Sequence, residues 1–115
     1  MAVVTVPACL WINGVEHTLE LRAGLIIGSD CQGRSCDNLA QIEIDSSLKS
    51  SQRAEVLLHE CLHRIEYALG WGCGGTKDSV LSEKQTLALG KSLAALCHEL
   101  DIEFDFSRLP QTEGG

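Results

Sequence analysis

The first part of the chain alternates in polarity. From Val15 to Leu21, the residues Val15, His17, Leu19 and Leu21 share one face of an extended backbone, and Glu16, Thr18 and Glu20 share the other. Leu10-Trp11-Ile12 precedes this run across Asn13-Gly14, a pair that readily supplies the positive φ angles of a type I′ turn, so the two runs read as a β-hairpin. Upstream, Val3 to Val6 is a short β-rich run stopped by Pro7. Gly24 to Asn38 is rich in Gly, Ser and Asp and reads as a loop carrying a short Leu25-Ile26-Ile27 strand. Alternation returns from Leu39 to Asp45. Ile42 and Ile44 point inward there and Glu43 and Asp45 outward, the pattern of a half-buried strand at a sheet edge.

The period then changes to that of a helix. Ser50 or Ser51 can cap a helix over residues 52–69, with Gly70 as its stop. Trp71 to Thr76 contains three glycines and reads as a turn. Ser82 with Gln85 has the form of a capping box opening a second helix over residues 83–100. The segment 109–115 is polar, contains Pro110 and ends in two glycines, and is expected to be a disordered tail. These elements imply one α+β domain over residues 1–108, a small antiparallel or mixed sheet of three to four strands packed on two main helices.

Composition narrows the function classes. Apolar residues make up 44% of the 115, but only five are aromatic, so Leu, Val, Ile and Ala must fill the core. The net charge of -7, from 16 acidic and 9 basic residues without a Lys/Arg stripe, disfavours nucleic acid and leaves a protein or peptide as the expected partner. No run approaches the roughly 18 to 20 apolar residues of a membrane span, so no membrane role is expected. Met1 to Leu10 carries no Lys or Arg ahead of its apolar residues, which does not read as a signal peptide, and a cytoplasmic location is expected. In that setting the six cysteines read as thiols. Cys61 and Cys97 occupy core-type helical positions. Cys31 and Cys36, in C-x4-C spacing, could bind a second metal with Cys73 or Cys9, but surface thiols are the simpler reading.

His59-Glu60-Cys61-Leu62-His63 carries the candidate chemistry. Two His four residues apart lie one turn apart on one helical face, so both imidazoles can reach one Zn²⁺, and the intervening Glu can take a proton from water at that ion. On a helical wheel Leu57, Leu58, Cys61, Leu62, Ile65, Ala68 and Leu69 form an apolar sector, while His59, Glu60, His63 and Tyr67 cluster opposite and face a cleft. Glu83 is the candidate third ligand. It falls within the second helix's apolar sector, with Leu89, Gly90, Leu93, Leu96, Cys97 and Leu100, where a carboxylate needs a partner. The simpler reading of Glu83 is an acidic residue favoured by the helix N-terminus. Small residues Gly90 and Ala94 would let the two helices approach closely. Tyr67 could cover the site or steady an oxyanion, His98 reads as a surface residue, and His17 as a satisfied core histidine. The Cys73-Gly74-Gly75 turn could serve as a lid or simply reverse the chain.

H-E-x-x-H on one helix and a Glu opening the next, with His63 and Glu83 twenty positions apart, resemble the gluzincin arrangement of thermolysin-like peptidases. The stretch from Ile42-Glu43-Ile44-Asp45 through Leu57-Leu58-His59-Glu60 to Leu81-Ser82-Glu83 resembles the minimal zincins of phages and prophages, which are similar to immunity-repressor metallopeptidases and SprT-like proteins. The resemblance implies a zinc metallopeptidase. His59, His63 and Glu83 would hold Zn²⁺, Glu60 would act as general base, and the strand at Ile42 to Asp45 would border the cleft and pair with an extended substrate. The alternative is a zinc-stabilised binding or assembly protein of phage type that performs no hydrolysis. A DNA-linked SprT-like role is disfavoured by the acidic balance. The motif predicts about one zinc per chain in the purified protein, by elemental analysis before any chelator is used. His59→Ala, His63→Ala and Glu83→Ala should each lower that content sharply, and wild type that stays metal-free in excess zinc would exclude the site.

Overall fold

The computed structural model describes residues 1–26, 31–36, 39–72 and 79–112. Strands β1 (Ala2–Thr5), β2 (Cys9–Ile12), β3 (Val15–Arg22), β4 (Gly33–Cys36) and β5 (Gln41–Asp45) precede helices α1 (Ser50–Ala68) and α2 (Glu83–Glu99). Strands β6 (Ile102–Asp105) and β7 (Gln111–Thr112) follow. The fold is α+β: two helices packed with a mixed sheet whose main path is β2-β3-β5-β4. The hairpin forms at Asn13 and Gly14, with φ of 48° and 82°, and its register places Ile12 opposite Val15 and Leu10 opposite His17. Strand β5 runs parallel to β3, and β4 returns antiparallel along β5's far edge. The short β7 continues the β2 side of β3 where β2 ends, at Leu21 and Arg22. Strand β1 pairs in parallel with β6, forming a separate two-stranded sheet.

The core forms where alternation and helix period meet. Leu19 and Leu21 of β3 lie beside Ile42 and Ile44 of β5, all four fully buried, and Val56 and Leu57 of α1 pack against them. Burying each such side chain stabilises the fold by roughly 1.5–3 kcal/mol before entropy is counted. His17 belongs to this inner face and is buried, its Nδ1 2.9 Å from the Val15 carbonyl, a satisfied core histidine as expected. On the outer face Glu43 is held by Arg34, whose Nε donates to it, and by Arg22, 3.2 Å away. Burial alone would raise the Glu43 carboxyl; hydrogen bonds from Arg34 and Glu20 outweigh it and hold the group below its usual range. Glu20, beside it, is pushed up by burial and by sharing that contact with Glu43.

Several sequence expectations change. Strand β5 is an inner strand, because β3 and β4 occupy both of its edges, so Glu43 and Asp45 are buried instead of facing solvent. Leu25 and Ile26 start a helical turn where a strand was expected, and Gly33–Cys36 forms a strand inside the expected loop; Ile27 lies outside the described residues. Lys49, not Ser50 or Ser51, is the N-cap of α1, its amide donating to the Gln52 side chain at 3.3 Å. The helix ends in a Schellman motif, with Gly70 at φ 76° and the Trp71 amide on the Glu66 carbonyl at 2.9 Å. Leu109 is buried and β7 pairs with β3, so 109–112 belongs to the fold; 113–115 lies outside the described residues. The α2 cap follows expectation: Ser82 Oγ accepts from the Gln85 amide at 3.1 Å, and Gln85 Oε1 accepts from the Ser82 amide at 2.8 Å. Among the described residues no helix is long and apolar enough to cross a membrane.

Asp45 ties the end of β5 to its flanking turns. Its carboxylate accepts from the Ile26 amide at 2.9 Å, from the Ser47 amide at 2.8 Å and from the Ser47 hydroxyl. Burial acts to raise this carboxyl, but these bonds together hold it below its usual range. A carboxyl depressed in the folded state contributes stability that is fully present above its unfolded value of about 3.9 and is lost as pH falls through the folded value. Asp45→Asn should therefore lower stability at pH 7 by about 1–3 kcal/mol and flatten the acid limb of the stability–pH curve. Urea midpoints for the two proteins at neutral and acid pH check this, and an unchanged midpoint at pH 7 would count against it.

Candidate metal centre

Helix α1 crosses the inner face of the sheet and presents its middle turns to α2. His59 and His63, one turn apart, point their Nε2 atoms toward each other at 3.0 Å with their rings edge to face. Glu83, the first residue of α2, closes the triangle, its carboxylate oxygens 2.7 Å from His59 Nε2 and 3.0 Å from His63 Nε2. The sequence-predicted ligands are thus brought together, and this His59, His63 and Glu83 group could hold a metal ion. Ligand atoms around a tetrahedral ion at about 2.0–2.1 Å sit roughly 3.3 Å apart, close to the spacings here. Both imidazoles are largely buried, whereas the Glu83 side chain is 53% exposed, so the open side of the group lies toward Glu83.

The helices reach this distance because α2 carries no side chain where it crosses α1. A Cβ on Gly90 would lie 3.2–3.3 Å from the backbone nitrogen, Cα and Cβ of His59. One turn away, Thr86 is fully buried and its hydroxyl donates to Glu66 Oε1 at 2.9 Å, a second tie between the helices. Glu66 lies three residues beyond His63 and shares its face of the helix. Neither His59 Nδ1 nor His63 Nδ1 has a hydrogen-bond partner among the described residues, so the outer support usual for imidazole ligands is not seen there.

Glu60 is buried beside the triangle, its Oε2 4.0 Å from His59 Nε2. Burial pushes its carboxyl up; the hydrogen bond from Ser35 and the charges of His59 and Arg64 oppose this, and Glu83 adds to it. Ser35 lies on β4, opposite Ile42 in the register and so on the helix-facing side of the sheet. The same strand approaches α1 through Gly33, where a Cβ would meet Val56 Cγ1 at 2.3 Å and the Glu43 carbonyl at 3.0 Å. Strand β4 therefore borders Glu60, whereas β5, with β3 and β4 on its two edges, has no open edge for an extended substrate.

The faces of both helices depart from the wheel. On α1, Val56 and Leu57 are buried while Ala68 and Leu69 are exposed, and the motif side is itself buried at Glu60, His63 and Glu66. On α2, Thr86 and Gly90 are buried while Leu89, Leu93, Leu96 and Leu100 are exposed. Tyr67 is exposed, with the Arg64 guanidinium 5.2 Å from its ring centre, and His98 is a surface residue. Cys9, Cys31, Cys61 and Cys97 form no disulfide. Burial pushes the Cys61 thiol up to about 12, with the Glu60 charge adding to it, so it stays protonated and inert at neutral pH. Among the described residues no cysteine joins a metal-type group. Cys73 and its lid lie outside the described residues, as does the Cys36 side chain.

Sequence reasoning missed Gly33, Ser35, Glu66 and Thr86. Gly33 and Ser35 sit in a Gly/Ser-rich stretch without alternation, and Glu66 carried only its three-residue offset from His63 as a signal.

Gly90→Ala tests whether close approach shapes the group. In an exposed helix this change would add up to about 1 kcal/mol of stability. Here it presses on the backbone of α1, so α2 should move away, metal affinity should fall and helicity should persist. Titration with a chromophoric metal competitor checks this, and a more stable variant with wild-type affinity would count against it.

No family model, curated protein or solved structure matches this chain.

Proposed function

We propose that the chain is a zinc-dependent peptidase acting on a protein or peptide. The observation that carries the reading is the convergence of His59, His63 and Glu83 within 3.0 Å of one another, with the buried Glu60 carboxylate alongside. Two imidazoles and a carboxylate suit Zn²⁺, and the same donor set occurs in catalytic zinc sites that keep one position open. The motif's resemblance to minimal zincins of phage type, noted from sequence, points the same way.

Bound zinc would supply Lewis acidity, polarising a scissile carbonyl and making water a competent nucleophile near neutral pH. Glu60 would take a proton from the attacking water as its oxygen bonds to the scissile carbonyl carbon, and would pass that proton to the nitrogen that leaves as the amine. The burial of Glu60 suits this role, since desolvation raises the carboxyl and makes it a stronger base. Ser35 orients the Glu60 carboxylate by its hydrogen bond. An extended substrate would pair with the outer edge of β4, which is the last strand of the sheet path and has β5 on its other side.

A second reading is favoured by one feature: the donors come from two helices, so an ion would clamp α1 to α2 and stabilise a binding or assembly protein without hydrolysis. Glu60→Gln separates the two. For a peptidase, zinc content and melting temperature stay near wild type while cleavage of a susceptible peptide falls about 10²–10⁴-fold. For a structural site Glu60→Gln has no effect on function and His59→Ala lowers the melting temperature. An active wild type unaffected by Glu60→Gln would overturn the assigned mechanism.

A further inference from the structure

Glu66 is a buried acid with no part in the proposed chemistry. It is 1% exposed, and its Oε1 accepts from the Thr86 hydroxyl at 2.9 Å. Its Oε2 is buried and has no hydrogen-bond partner among the described residues. One neutral donor is poor compensation for taking a carboxylate out of water. The orphan oxygen therefore marks a place where a second donor belongs. Helix packing does not by itself require an acid here. Thr86 Oγ1 also lies 3.2 Å from the Ser82 carbonyl, so its hydroxyl has an acceptor without Glu66.

A matching orphan stands on His63. Its Nδ1 is likewise buried and without a partner among the described residues, while its Nε2 is turned to His59 and Glu83, each at 3.0 Å. Residues three apart share a helix face, and helical side chains lean back toward the N-terminus. Both effects carry the Glu66 carboxylate toward the root of the His63 ring, where Nδ1 sits. The bond from Thr86 holds that carboxylate on the side of α1 that faces α2, the side on which His63 meets Glu83. His59 lies two turns before Glu66, about 10 Å along the axis, so the match is with His63 alone.

We propose that Glu66 is a positioning residue for the metal ligand His63: with an ion on Nε2, the Nδ1–H of His63 donates to Glu66 Oε2. A neutral imidazole carries one ring proton. While that proton sits on Nε2 and faces the Glu83 carboxylate, Nδ1 is an acceptor, and two acceptors form no bond. An imidazole that gives its Nε2 lone pair to a cation holds the proton on Nδ1, which becomes a donor. An outer carboxylate of this kind fixes the tautomer and raises the basicity of the ligand. The charges agree, since the carboxylates of Glu66 and Glu83 together balance a divalent cation. The inference rests on the zinc reading of the site and not on hydrolysis.

Nitrogen-15 NMR of the histidine rings in the full-length chain, without zinc and with zinc in slight excess, tests it. Zinc should place the His63 ring proton on Nδ1, where it should give a slowly exchanging downfield resonance. Glu66→Met, close in volume and uncharged, should keep wild-type circular dichroism and a metal-free melting temperature at or above that of wild type. Its zinc affinity by competitor titration should fall about 10–100-fold, and its His63 ring proton should move upfield and exchange rapidly. A Glu66 that serves helix packing alone would instead lower the melting temperature and leave affinity and ring proton as in wild type. Should the variant fail to fold, the zinc-loaded wild-type spectrum decides. A His63 Nδ1 proton that is absent or exchanges freely there, or a Glu66→Met protein of wild-type affinity, would overturn the proposal while the zinc site stands. A wild type that binds no zinc would overturn both.

Discussion

The arrangement depends on how closely two helices can cross. A carboxylate at the first residue of α2 reaches two imidazoles in the middle of α1 only if the helix backbones approach nearer than ordinary side chains allow. Gly90 removes the obstacle at His59, and the Thr86 hydroxyl uses the resulting space to donate to the buried Glu66. Because interiors are close-packed, a displacement at either contact reaches the other. The Glu83 position is thus a consequence of helix packing, and the Ser82–Gln85 cap fixes where the helix begins and so where Glu83 stands.

The sheet sets the other half of the geometry. Ile42 and Ile44 with Leu19 and Leu21 form the floor on which Val56 and Leu57 rest, and this fixes the rotation of α1 that brings His59, Glu60 and His63 to their places. Strand β4 then passes alongside at Gly33 and Ser35, one residue giving room and the other a hydrogen bond to Glu60. On the opposite face the same strands carry Glu20, Arg22, Arg34 and Glu43, an acid–base cluster that suits a partly covered sheet surface. A charge burial that would be costly singly is offset there by pairing.

The apolar residues of α2 show why periodicity identifies an amphipathic face without naming its partner. Leucines at 89, 93, 96 and 100 satisfy the helical period, yet in the fold they are among the exposed large hydrophobics, and the buried positions are Thr86 and Gly90. A small residue and a hydroxyl win the intramolecular contact because closeness, not apolar area, decides which flank packs on α1.

Local physics made much of the molecule legible from its sequence. The hairpin at Asn13-Gly14, the inner face of β3, the capping box at Ser82, the glycine stop at Gly70 and the one-turn spacing of His59 and His63 each follow from steric or periodic rules acting within a few residues. The tertiary structure alone decided long-range matters. Strand β5 lies inside the sheet because β4 pairs with its far edge, and that burial reverses the exposure its alternation implied for Glu43 and Asp45. Likewise β1 pairs with β6 outside the main sheet, and Gln111–Thr112 joins β3 as a strand, since pairing partners distant in sequence leave no periodic trace. Nothing local marks Ser35 or Thr86 as neighbours of Glu60 and Glu66. Their roles arise from which elements touch, a choice made by packing the whole chain into one core.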